Sequence, residues 1–248
     1  MSSTLSAAAA ERDGKGRAQA FRFLDLPAEL RNRIYRMHLV CDPVVLDLDP
    51  QNPRTIGPRL RLLRTCRQVH REASRVFYGD NTFRIFPLHR RFFNSKRPLL
   101  MRLNSRHRAT IVCLELRVGP GWAKPPKSWA LEASLGLHDM VSVRRLKIFC
   151  ECDPSHPIFT GFRVGKDYYT SFCGLLVQQV IAQVPSIEEV QFDAYPSVSR
   201  EGPLMTRLLY EAKVARKTIT WGPLRGWEEV INIGHGVAPL GLDVKIHT

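Results

Sequence analysis

The segment Ile111-Val-Cys-Leu114-Glu-Leu116 carries an apolar-x-x-apolar-x-apolar pattern that returns twice later in the chain. Val143-Arg-Arg-Leu146-Lys-Ile148 lies 32 residues further on, and Ile187-Glu-Glu-Val190-Gln-Phe192 lies another 44 residues beyond that. Helical patterns precede these two copies, over residues 128–140 and 168–184. Strands that alternate with helices predict parallel strands joined by crossover helices, and therefore an α/β fold, with α+β as the alternative.

The same pattern is similar to the Leu-x-x-Leu-x-Leu core of a leucine-rich repeat, in which each copy adds one strand to a continuous sheet. Its period is uneven, and the Asn of the usual repeat is missing. Two interpretations therefore stay open: an irregular helix–strand repeat with a leucine-rich-repeat-like layer, or an ordinary α/β layer. A last helix over residues 204–215 and a strand at 218–221 extend either architecture.

An amphipathic helix is predicted over residues 27–39, with Pro27 in its first turn. Its apolar side chains recur at three- and four-residue spacing and form one stripe, made of Leu26, Leu30, Ile34 and Met37. The stripe is either part of the core or a docking surface, and the sequence leaves both open. A short strand is expected at 44–48. Prolines at positions 43, 50, 53 and 58 argue against a long helix around it.

A second amphipathic helix is predicted over residues 59–78. Its apolar positions cluster on one side: Leu62, Cys66, Val69, Ala73, Val76 and Phe77. Four arginines form a narrow stripe on the opposite side, namely Arg64, Arg67, Arg71 and Arg75. A strand at residues 82–86 and a further basic helix near 88–103 follow.

The formal net charge of the chain is +14, and nearly all of the excess lies in one segment. Between Arg54 and Arg108 there are 15 Lys and Arg residues against two acidic residues, Glu72 and Asp80, a balance of +13. A basic surface of this kind suits RNA, DNA or an acidic protein as partner. The alternative is a solvated helix face without a ligand.

Three blocks of sequence resemble a large group of fungal F-box-like proteins. They are Phe23-Leu-Asp-Leu-Pro-Ala-Glu-Leu-Arg-Asn-Arg-Ile-Tyr35, then Leu63-Arg-Thr-Cys-Arg-Gln68 with Glu72-Ala73, and then Phe77-Tyr-Gly-Asp-Asn-Thr-Phe83. Within the first block, Leu26-Pro-Ala-Glu-Leu30 is similar to the first helix of an F-box. The resemblance covers roughly residues 21–86, about a quarter of the chain.

The resemblance implies a non-enzymatic adaptor. In F-box proteins the module docks on the Skp adaptor of a cullin-type ubiquitin ligase, and the remaining domain holds the protein substrate. Carried over to this chain, the apolar anchors toward a Skp-type adaptor are Leu26, Pro27, Leu30 and Ile34. The chain departs from the F-box pattern in one respect. About 35 residues separate Leu30 from Cys66, and no Trp follows Cys66-Arg67.

Four regions follow from these patterns. Residues 1–20 form a Ser- and Ala-rich leader of disordered composition, and residues 21–108 form an F-box-like helical module with short strands. Residues 109–225 form an α/β repeat-like recognition domain, and residues 226–248 form a tail. No window holds 18 uninterrupted apolar residues, so a membrane is not expected among the partners.

The motifs that normally accompany catalysis are missing from the sequence. There is no P-loop, no dinucleotide-binding glycine pattern after a strand and no Gly-x-Ser-x-Gly turn. Cys150, Cys152, Asp153 and His156 come closest to a metal site but lack a second ligand pair. We therefore expect no catalytic residues, no cofactor and no metal. The six cysteines lie mostly in apolar runs as structural thiols, which favours the cytoplasm or the nucleus.

Overall fold

The computed structural model describes residues 21–227 except residues 96, 122, 124, 125 and 127. This part of the chain contains seven α-helices and a five-stranded parallel sheet, so the predicted mixed α/β class is confirmed. The helices are α1 (Ala28–Leu39), α2 (Gln51–Leu60), α3 (Arg67–Asp80), α4 (Leu99–Arg102), α5 (Ser105–Arg108), α6 (Tyr168–Gln183) and α7 (Pro203–Val214). The strands are β1 (Thr82–Arg84), β2 (Cys113–Val118), β3 (Arg145–Cys150), β4 (Glu189–Ala194) and β5 (Thr218–Trp221). The predicted leader and the tail beyond residue 227 lie outside the described residues.

The strands of the sheet follow one another in chain order, and every neighbouring pair is parallel. Leu114 pairs with Leu146, and Leu146 pairs with Val190. The second apolar position behaves in the same way, because Ile148 lies between Leu116 and Phe192. The apolar pattern that repeats along the sequence is therefore also the register of the sheet.

One face of the sheet is buried under helices. Met205 of α7 contacts Cys150 of β3, with Sδ and Sγ 3.4 Å apart. The ring of Phe77 in α3 lies edge-on to Phe83 of β1, with centroids 6.0 Å apart. Period-two alternation sends these strand side chains into the core: Phe83, Leu114, Leu116, Val118, Leu146, Ile148, Cys150, Val190, Phe192 and Ala194.

The opposite face of the sheet carries polar side chains in cross-strand rows. Arg145 of β3 donates to Glu189 of β4 at 2.8 Å, and the hydroxyl of Thr220 in β5 donates to the same carboxylate at 2.6 Å. Further along, the Arg117 guanidinium lies 4.4 Å from the ring centroid of Phe149 on the neighbouring strand. Most of these side chains are partly exposed.

The N-terminal segment closes the first edge of the sheet. Leu46 forms a parallel bridge with Phe83, in which its N–H donates to Thr82 and its carbonyl accepts from Arg84, both at 2.9 Å. The strand predicted at 44–48 is thus a single bridge. The sheet also crosses the predicted boundary at residue 108, because β1 pairs with β2.

Three predicted helices differ from the observed elements. The prediction for 59–78 breaks at Cys66, whose extended backbone (φ −154°, ψ 167°) and Sγ cap the start of α3. Residues 89–94 form a bend and turns instead of a helix, and the region 128–140 holds only two 3-10 turns. In the other direction, α2 lies within the proline-rich segment. Pro53 occupies a first-turn position where its missing N–H has no partner to lose, whereas Pro58 lies inside the helix near its end.

Candidate functional site

Helices α1 and α3 lie side by side and are joined by a polar cluster centred on Glu72. Arg31 donates to both carboxylate oxygens of Glu72, at 2.7 and 2.9 Å. The hydroxyl of Tyr35 donates to Glu72 at 3.0 Å, and the Gln68 amide donates at 3.1 Å. A third Arg31 nitrogen donates to the carbonyl of Leu26, and so fixes the start of α1 to the same cluster.

The cluster shifts the titration of its members. Hydrogen bonds from Arg31 lower the pKa of Glu72 to about 2. Burial raises the pKa of Tyr35 to about 12, and its hydrogen bond to Glu72 acts in the same direction. Arg31 and Glu72 are therefore both ionised near neutral pH, and each satisfies the charge of the other.

A second cluster ties the ends of the two helices. The Asn81 side chain accepts from the N–H of Cys41 at 2.8 Å and donates to the carbonyls of Leu39 and Phe77 at 3.0 and 2.9 Å. Nearby, Arg36 pairs with Asp80 at 2.8 Å. Arg31 and Glu72 thus join the first two sequence blocks on which the F-box-like resemblance rests, and Asn81 of the third block joins the end of α3 to the end of α1.

These contacts place Arg31, with Tyr35 and Leu39, on the inner side of α1 and leave the apolar stripe on its outer side. Arg31 is only 8% exposed, and Tyr35 and Leu39 are buried beside it. By contrast Leu30 is 47% exposed, Ile34 39% and Met37 80%. Of the predicted docking residues, Pro27 immediately precedes α1 and is exposed, whereas Leu26 is half-buried. We call the exposed set Leu30, Ile34 and Met37, with Pro27, the α1 stripe.

The structure also places all four predicted arginines at one surface. Arg64, Arg67 and Arg71 line a hollow of ≈ 760 Å³ together with Leu63, Cys66 and His70. A second hollow of ≈ 510 Å³ shares Arg71 and His70 with the first and adds residues from the region of α5. The residues in or beside α5 are Asn104, Arg106, His107 and Thr110, and α3 itself adds Ser74 and Arg75. We call the two joined hollows the α3 groove.

The imidazole rings of His70 and His107 lie in the α3 groove, near the point where the two hollows meet. The His107 ring stacks on Tyr78, with centroids 4.3 Å apart and an interplanar angle of 15°. His70 lies 6.5 Å from His107, and its Nδ1 is 2.8 Å from the carbonyl of Leu63. Burial lowers the pKa of His107, and the nearby His70 and Arg106 lower it further. His107 is therefore a neutral ring at physiological pH.

Sequence reasoning missed the part of the α3 groove that α5 provides. Arg106 and His107 belong to a four-residue helix that carries no amphipathic period. The Asn104-Ser-Arg-His start is an N-cap signal that could have located this helix, because Asn104 accepts from the His107 N–H at 2.8 Å. Its position beside α3 is a tertiary contact, for which the local sequence contains no signal.

The other candidate groups serve as core or capping groups. Cys150 is buried among apolar side chains, and Asp153 accepts from the N–H groups of Ser155 and Leu204 at 2.9 and 3.2 Å. Across the described residues, no group of three His, Cys, Asp or Glu side chains is arranged to hold a metal ion. All six cysteines are unpaired thiols.

Comparison with known proteins finds no similar protein. No protein-family model, curated protein or solved structure matches the chain. A membrane-crossing helix, long and apolar enough to span a bilayer, does not occur in the described ranges.

Proposed function

We propose that the chain is a non-enzymatic, F-box-like adaptor that docks on a Skp-type adaptor through the α1 stripe. The observation that carries the proposal is the outward orientation of Leu30 and Ile34. The fold uses Arg31 and Tyr35 of the same helix for its own packing, and leaves the stripe without an internal role. An apolar row at three- and four-residue spacing on an exposed helix is the usual form of a helix that enters a partner's groove.

We further propose that the parallel sheet is a leucine-rich-repeat-like layer that holds a protein substrate. A leucine-rich-repeat-like layer is supported by strands in chain order and by apolar positions that repeat in register. In such a layer the face away from the helices holds the ligand. Here that face carries Arg145, Glu189 and the Arg117–Phe149 pair. A protein substrate with mixed charge and an aromatic or apolar anchor suits these side chains.

The long spacer between the F-box-like blocks is compatible with docking. Its middle is occupied by α2, and the carbonyl of Val40, where the spacer begins, accepts from Arg59 of α2 at 3.5 Å. The extra residues therefore pack as part of the N-terminal helices. Arg31 and Glu72 still bring the two blocks into direct contact across the insertion.

The test is a binding titration between the purified chain and a purified fungal Skp-type adaptor. The double variant Leu30→Gln/Ile34→Gln is expected to weaken binding by at least about 30-fold, since truncating central apolar anchors costs roughly 2 kcal/mol or more. The matched control is Glu29→Gln, an exposed position on α1 that lies about 100° around the helix axis from Leu30. The proposal fails if the wild-type chain does not bind, or if the double variant binds as well as the control.

A further inference from the structure

The α3 groove has two features that folding of the protein does not require, namely exposed arginines and, among the described residues, walls without acidic side chains. Its cations are not needed by the core, because Arg64, Arg67, Arg71 and Arg75 are all exposed. Among the described residues that line the two hollows, none is acidic. The surface therefore concentrates positive charge with no compensating carboxylate in its own walls.

The arrangement of the cations favours a polyanion over a single anionic group. Arg67, Arg71 and Arg75 recur once per turn along one side of α3, over about 12 Å of helix. Arg106 adds a cation from the opposite wall, on α5. A row of this kind follows an extended phosphate backbone, in which every repeat unit carries one negative charge.

The hollows between the cations favour nucleic acid over an acidic protein. Each is large enough for a planar ring system. The first has Leu63 and Cys66 in its wall, the imidazole of His70 lines both hollows, and that of His107 lines the second. Bases stack on aromatic, His and Arg planes, whereas aspartate and glutamate side chains make no use of such surfaces.

We propose that the α3 groove binds single-stranded nucleic acid, with phosphates along Arg67, Arg71 and Arg75 and bases in the two hollows. Base stacking on His70 and His107 requires unpaired bases, so a duplex is a poorer ligand than a single strand. The surface is separate from the α1 stripe, and its function does not depend on docking of a ligase adaptor.

The experiment measures binding of a labelled oligouridine and a labelled oligothymidine of about 12 nucleotides, over a series of salt concentrations. For Arg67→Gln/Arg71→Gln/Arg75→Gln, binding is expected to weaken at least roughly tenfold. The slope of log affinity against log salt should become shallower by about 2, at roughly 0.7 for each phosphate that an arginine no longer neutralises. The control Arg54→Gln/Arg90→Gln/Arg97→Gln removes the same charge at exposed positions outside the groove and should leave the slope unchanged.

Substitution of the His70 ring distinguishes nucleic acid from an acidic protein as the ligand of the α3 groove. His70→Ala should weaken oligonucleotide binding by about tenfold without changing the salt slope, since stacking neutralises no phosphate. His38→Ala is its control. Equal weakening in both triple arginine variants overturns the proposal. So does unchanged affinity of His70→Ala together with equal competition by poly-glutamate, a result that assigns the groove to an acidic protein.

Discussion

Arg31 and Glu72, 41 residues apart in the chain, form a two-pronged hydrogen bond that joins α1 to α3. The pair lies on the inner side of α1, where an apolar residue is the usual occupant. With this charged pair beside Tyr35 and Leu39 on the inner side, Leu30, Ile34 and Met37 remain at the surface. The exposed apolar stripe of α1 is the main structural support for an adaptor.

Loss of the Glu72 carboxylate should destabilise the protein in a pH-dependent way. At neutral pH, Glu72→Gln is expected to lower the free energy of unfolding by about 2 kcal/mol, the scale of a charge-assisted hydrogen bond. The folded pKa of about 2 lies below the ordinary value of 4.5, so this contribution is present above about pH 4.5 and is lost as the pH falls toward 2. Urea unfolding of both proteins between pH 3 and pH 7 measures the difference. A gap that stays constant over this range contradicts the assignment.

Substitutions on the two sides of α1 should differ in how strongly they destabilise the protein. Leu39→Ala removes a fully buried side chain and is expected to cost about 3 kcal/mol of stability. Leu30→Gln/Ile34→Gln replaces exposed side chains and should change stability by less than about 1 kcal/mol. Chemical denaturation followed by tryptophan fluorescence compares them. If the stripe variant is as unstable as Leu39→Ala, the stripe belongs to the core.

Gly136 should tolerate a side chain less well than Gly161 does. Both have positive φ, at +72° and +91°, so alanine is strained at either position. At Gly136 an added Cβ would also collide with the guanidinium of Arg108, which donates to Asp139 at 2.6 and 2.9 Å. At Gly161 the space is open. We expect Gly161→Ala to cost about 1 kcal/mol and Gly136→Ala roughly twice as much or more, measured as shifts in thermal midpoint. Equal shifts would show that Arg108 moves away freely.

The thiols should differ in their reaction with a maleimide. Cys66 is exposed at the start of α3, whereas Cys150 and Cys173 are fully buried. Burial also raises the pKa of both buried thiols, so that little thiolate is present near neutral pH. Peptide mass spectrometry after brief labelling should find Cys66 modified and the buried pair unmodified until denaturant is added. Labelling of Cys173 at the rate of Cys66 would mean that α6 opens readily.

The central strands β2, β3 and β4 could be predicted because each one buries a face of apolar side chains. The same apolar pattern begins at Ile111, Val143 and Ile187. Because the apolar residues of this pattern are buried against helices, the pattern can be recognised from the sequence alone. The break at Cys66 could not be predicted in this way, because apolar residues continue at helical spacing on both sides of it. At this point the extended backbone of Cys66 interrupts the helix, and its Sγ caps the start of α3.

The candidate sites were predictable to the extent that they consist of one helix. The arginine row and the stripe at Leu30 and Ile34 are periodic, so sequence shows them. Whether the stripe faces inward depends on Arg31, and an arginine in a buried position is understandable only once Glu72 is known to lie beside it. Contacts between distant residues also explain why Arg106 was not assigned to the groove.

The order of the strands also bears on how the protein is made. Each strand from β2 onward pairs with the strand that precedes it in the chain, and Leu46 occupies the outer edge of β1. During translation, each of these strands therefore leaves the ribosome after its partner strand has been synthesised. Pairing of a strand does not depend on a segment that is synthesised much later. The N-terminal helices and β1 form the first template, from which the sheet can extend during translation.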